Sequence, residues 1–192
     1  MPRIANLKER QHQPIYDSLV RAYGATSPAI ASRTTLFGNS NMGNLAMTNL
    51  SVAGQLASDQ TYIVLALRCY MYFNGTNRRT SYVQTASQLY FTFVLGEKPQ
   101  FQAPAWYFPA GGGIWGFDSQ SSVFTNGVPS QDAILKLAKP IVVPVRQNIA
   151  VIAEFFKVGT KDVLDTLNGG RASDDESVIM FMLDGVRTRD VQ

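Results

Sequence analysis

The chain carries a single histidine, His12, inside the basic N-terminal stretch MPRIANLKERQHQP. A Ser-His-Asp or Cys-His nucleophile system needs its base held by packing beside the nucleophile, and a histidine in an unpacked arm is badly placed for that. Catalytic zinc sites need two or three histidine ligands and are excluded by count. Carboxylates remain as a glycosidase pair, with Glu154 the most conspicuous because it interrupts the apolar run NIAVIAEFF. A carboxylate there is expected to face outward or to pair with an arginine, Arg146 or Arg68. Asp174-Asp175-Glu176 lacks the alternating oxygen spacing of a calcium loop and reads as a solvated turn. Gly111-Gly112-Gly113 lacks the Lys-Ser/Thr that completes a phosphate loop. The only cysteine, Cys69, sits in an apolar run and reads as a buried small hydrophobe, so no intrachain disulfide is possible. No catalytic residue, metal site or cofactor is expected, and the chain does not read as an enzyme.

The aromatic stretch PQFQAPAWYFPAGGGIWGF at 99–117 holds both tryptophans. Trp106, Tyr107, Phe108, Trp115 and Phe117 lie within twelve residues, between prolines and glycines. Trp and Tyr bury large area at low entropic cost and dominate binding hot spots. The stretch reads as a subunit interface, as a sugar platform like those of jelly-roll lectins, or as core filling under a long loop. Composition favours contact with proteins. Charged residues make up only 16% of the chain, below the usual quarter, and interface cores are depleted in Lys, Glu and Asp.

The net charge of +3 sits entirely in residues 1–35, where Arg3, Lys8, Arg10, Arg21 and Arg33 face only Glu9 and Asp17. A neutral body should not bind nucleic acid by bulk electrostatics. Residues 1–33 read as an extended basic arm with a short helix near 14–23, ended by Pro28. Such an arm orders on docking, and its five basic residues are expected to meet protein rather than nucleic acid. No stretch reaches the roughly 18 apolar residues of a membrane span, and no secretory signal pattern opens the chain. Folding in a reducing cytoplasm is the expectation.

The elements that would position these residues are strands. In TYIVLALRCYMYF (61–73), Ile63, Leu65, Leu67, Cys69, Met71 and Phe73 alternate with Tyr62, Val64, Ala66, Tyr70 and Tyr72, predicting one long strand apolar on both faces. SYVQTASQLYFTFVLG (81–96), NIAVIAEFF (148–156) and SVIMFML (177–183, closed by Asp184-Gly185) predict three more. Residues 34–57 suggest short strands and turns, 131–137 a strand or helical turn, and Pro140 and Pro144 bracket an edge strand. TKDVLDTLN (160–168) predicts a short helix, and VRTRDVQ a polar tail. Seven to nine strands with little helix predict an all-β, single jelly-roll-like antiparallel β-sandwich at 34–192, with the extended N-terminal arm at 1–33.

A basic arm before one sandwich of low charge and long aromatic strands resembles bacteriophage and viral jelly-roll capsid or capsid-decoration (cement) proteins. The segments LFGNSNMGNLAMTNL, PIVVPVRQNIAVIAEFF and VIMFMLDGVRTRDVQ carry the resemblance. It implies a structural role in a virion shell, as a homo-oligomer in symmetric contact with other capsid proteins. The contacts are expected at the arm (Arg3, Lys8, Arg10, Arg21, Arg33) and at Trp106, Tyr107, Phe108 and Trp115. The alternative is a carbohydrate-binding jelly-roll module using Trp106, Tyr107 and Trp115.

Overall fold

Among the described residues, nine strands follow one another: β1 (Lys8–His12), β2 (Ile15–Ala22), β3 (Arg33–Leu36), β4 (Gln60–Phe73), β5 (Leu89–Leu95), β6 (Lys98–Pro104), β7 (Leu135–Val143), β8 (Ile149–Phe155) and β9 (Glu176–Asp190). The computed structural model describes residues 8–22, 33–38, 44–73, 85–111, 132–155 and 176–190, with the side chains of 21, 22, 73, 176, 177 and 190 left out. The predicted helix at 160–168 lies outside these residues.

The strands form two antiparallel sheets, so the chain is an all-β sandwich. The larger sheet runs β1-β9-β4-β7, with β2 also paired to β9; the smaller runs β3-β8-β5-β6. From β2 onward the pairing is nested. β2 pairs with β9, β3 with β8, β4 with β7 and β5 with β6. This is one long antiparallel ribbon rolled so that successive pairs fall in alternate sheets. Alternation along each strand supplies the core. Leu89, Phe91 and Phe93 of β5 and Val151 and Ala153 of β8 face Leu67, Cys69 and Met71 of β4 and Ile179, Phe181 and Leu183 of β9, all buried. Phe91 meets Phe181 across the two layers at 4.8 Å between ring centres.

Several expectations need correction. Residues 8–22 do not form a free arm or a helix; they are two strands hydrogen-bonded to β9. Ile15, Leu19 and Val20 suggested a helical face, but Ile15, Asp17 and Leu19 point inward at period two while Tyr16 and Val20 point outward. The open edge of β9 decides the outcome, because its amides need partners. Asp17 is buried and accepts the N–H of Phe37, whose φ of 67° turns the chain out of β3. Asp184-Gly185 does not close the last strand. β9 continues through the supposed polar tail to Asp190, paired with β1 and β4. Of the expected strand at 81–96, residues 81–84 lie outside the described residues, 85–88 form a helical turn and the strand is Leu89–Leu95.

β4 is a single long strand as predicted, but its faces exchange part-way. Leu65 has no partner in either neighbouring strand, and the register shifts between Val64 and Ala66 on both sides. This β-bulge puts Tyr62 and Val64 inward before it and Leu67, Cys69 and Met71 inward after it. The same shift leaves residues 137–140 of β7 without partners in β4, which is where Pro140 is tolerated, and β7 forms the sheet edge as expected. The bulge presses the Ile63 carbonyl onto the α-carbon of Gly185, a position with no room for a side chain.

Candidate contact surface

Trp106 and Tyr107 stand in a one-turn 3-10 helix, Ala105–Tyr107, directly after β6. The turn is held from both ends. Phe108 N–H donates to Ala105 O at 3.1 Å, and Phe108 O accepts the N–H of Cys69 in β4 at 2.8 Å. Phe108 then drops into the core, 2% exposed, edge-on to Phe181 at 5.3 Å and to Phe91 at 5.9 Å. With Phe108 as the anchor, its two neighbours are pushed out: Trp106 is 56% and Tyr107 45% exposed. Tyr107 stacks on Phe101 of β6 (6.3 Å, 17°), and Trp106 meets Tyr107 edge-on (5.8 Å, 86°). The aromatic cluster of the sequence therefore splits. Phe108 is core and not interface, while Trp106 and Tyr107 form a rigid exposed knob. Trp115 lies outside the described residues.

Among the described residues, the basic side chains sit on different strands. Arg3 lies outside the described residues, and of Arg21 only the backbone, opposite Ser177, is described. Lys8 and Arg10 are exposed on β1, opposite Asp190 and Thr188. Arg33 of β3 pairs with Glu154 of β8 at 3.3 Å, directly across the ladder. Glu154 was expected to take Arg146 or Arg68; it takes Arg33 instead, and the half-exposed pair offers no buried acid for glycoside chemistry.

A second cluster went unnoticed in the sequence. Asp184 of β9 is nearly buried and has two partners: Arg68 Nη2 on one oxygen and His12 Nε2 on the other, the latter at 2.7 Å. His12 is thus held in a strand rather than free in an arm. Tyr62, on the opposite face beside the bulge, donates to the carbonyls of Gln13 (2.7 Å) and Leu183 (2.8 Å). Burial, and then the charge of Asp184, push its phenol well above the ordinary tyrosine range. The arrangement ties β1, β9 and β4 together at the bulge. Asp184 was legible only as half of an Asp-Gly turn signal. No family model, curated protein or solved structure matches the chain. Cys69 is buried, and desolvation raises its thiol far above the reactive range. Among the described residues, no three His, Cys, Asp or Glu side chains gather as a metal site.

Proposed function

We propose that this protein is a structural subunit of a virion shell, a capsid or capsid-decoration protein that assembles by symmetric protein–protein contacts and not an enzyme. The observation that carries the reading is the exposed Trp106–Tyr107 knob, braced on a core phenylalanine. Exposed aromatics held rigid lose little entropy on docking and are typical anchors of interfaces. The nested strand pairing supports the reading, because two facing antiparallel sheets that take successive pairs in turn suit a jelly roll, an architecture shared by viral capsid proteins and lectins. Fold alone does not choose between those uses. The ring geometry favours assembly. Trp106 and Tyr107 lie at 86° and offer a ridge, whereas a sugar needs a flat aromatic face.

The test is light scattering with electron microscopy of the purified chain and of the W106A/Y107A variant. The expected result is concentration-dependent, symmetric particles that the double substitution reduces or abolishes. A wild-type chain that stays monomeric at every concentration overturns the proposal. Quenching of tryptophan fluorescence by one glycan, with no assembly, would put the carbohydrate-binding reading in its place.

A further inference from the structure

The strands β1 and β2 form one edge of the larger sheet, and the chain covers only part of it. They keep a single register with β9 on both sides of Pro14, from Lys8 opposite Asp190 to Ala22 opposite Glu176. Backbone groups along an edge strand alternate between the ladder and the open side. Gln13 N–H donates to Gly185 O in β9 at 3.3 Å, whereas Tyr16 N–H turns the other way, to Asn49 Oδ1 at 3.0 Å. Even-numbered residues therefore turn their backbone outward. Residues 48–49 cover this side at Tyr16 and Pro14: Asn49 N–H and Thr48 Oγ1 donate to Tyr16 O, and Asn49 Nδ2 donates to Pro14 O at 2.6 Å. Pro14 has no N–H to satisfy there. The cover ends at this proline. The outward N–H and C=O groups of Lys8, Arg10 and His12 have no partner among the described residues.

We infer that this bare edge receives an added strand, an extended acidic segment of another protein. An open row of donors and acceptors is a template for one more strand, and main-chain bonds supply the affinity. The side chains of β1 select the occupant. Lys8, Arg10 and His12 share one face at period two, and all five β1 residues are exposed. Neither Lys8 nor Arg10 has a carboxylate within ion-pair distance among the described side chains. Glu9, the one carboxylate of β1, lies on the other face and is held by Arg189 at 2.7 Å. An incoming strand sets alternate side chains beside Lys8 and Arg10, where Asp or Glu meets unpaired cations. The same charges exclude a second copy. Two β1 edges related by a twofold axis set outward residues opposite one another, Arg10 against Arg10, Lys8 or His12, and like charges directly opposite are destabilising. A nucleic-acid backbone brings negative charge but only acceptors, so the outward carbonyls stay unmatched. The inference stands apart from the Trp106–Tyr107 knob and does not need the chain to assemble with itself.

The experiment titrates the full chain against a labelled peptide of about seven residues alternating Glu and Thr, with the alternating Lys and Thr peptide as control, read by fluorescence anisotropy. Arg10→Pro removes one outward N–H and leaves the ladder to β9 whole, as Pro14 does, and an unchanged thermal midpoint checks the fold. The glutamate peptide is expected to bind the wild type and to bind R10P and K8E/R10E at least about tenfold more weakly. K8E/R10E is expected to prefer the lysine peptide. On binding, hydrogen exchange at the Lys8, Arg10 and His12 amides should slow. No binding to the wild type at about 1 mM peptide, or binding that R10P leaves unchanged, overturns the inference. If R10P lowers the thermal midpoint, K8E/R10E decides: a reversed peptide preference supports the added strand, and a wild-type preference overturns it. A single-stranded oligonucleotide bound more tightly than the peptide, or a dimer of the chain that R10P dissociates, puts nucleic acid or a second copy at this edge and overturns it equally.

Discussion

Replacing Gly185 by alanine tests the geometry on which the larger sheet depends. A Cβ at 185 would fall inside the van der Waals envelope of the Ile63 carbonyl oxygen, 2.9 Å from its carbon and 3.1 Å from a ring carbon of Tyr62. Comfortable carbon contacts begin near 3.5 Å. β4 must therefore move from β9 by at least about half an ångström at the carbonyl carbon, and further at the oxygen. The obstacle is backbone, so no rotamer change relieves it. Overpacking of this kind costs about 1–3 kcal/mol, and each weakened ladder hydrogen bond adds about 1 kcal/mol. The expected loss is about 3–4 kcal/mol, read as a lower midpoint in urea and a thermal midpoint down by about 6–16 °C. Gly38→Ala is the control, since among the described residues its added Cβ meets only Thr35 O at 3.7 Å. A Gly185→Ala protein within about 0.5 kcal/mol of wild type would refute the bulge and the register it imposes.

Four further outcomes follow from named contacts. Phe108→Ala should cost about 3–5 kcal/mol in denaturant unfolding, whereas Trp106→Ala should change stability by less than about 0.5 kcal/mol; equal losses would contradict their opposite burial. Asp184→Ala leaves Arg68 without its carboxylate and should cost about 2–3 kcal/mol, while His12→Ala, removing a largely exposed imidazole, should cost under about 1 kcal/mol; the reverse order argues against the cluster. Tyr62 is held neutral in the folded state, so its contribution is complete below the unfolded tyrosine pKa of about 10 and falls as pH rises above it; Tyr62→Phe should flatten that alkaline loss, measured by unfolding at pH 9–11. Cys69 should resist thiol reagents at pH 8 in the folded protein and react freely in denaturant; rapid native labelling would show that the strand is not closed.

Part of this molecule is local and therefore legible in residue order. The alternation of Leu89, Phe91 and Phe93, and of Ile149, Val151 and Ala153, is a property of each strand by itself, and these residues are buried as their spacing predicts. The bland environment of Cys69 and the edge position of the proline-bracketed β7 were also readable. What was missed depends on a partner distant in the chain. Residues 8–22 become strands because β9, more than 150 residues away, offers an unpaired edge. Glu154 finds Arg33 because β3 and β8 lie side by side.

The sequence alone determined a chain of strands with one histidine, little charge, and two tryptophans close together. It could not divide Trp106 and Tyr107 from Phe108, since all three are aromatic neighbours and only the core beneath them selects which one is buried. Nor could it see that Leu65 is extruded from β4, because a run apolar on both faces reads the same with or without a bulge. Tertiary packing made that decision. Where the Ile63 carbonyl meets Gly185, one residue of β4 is left over, and every side chain beyond it turns to the other face.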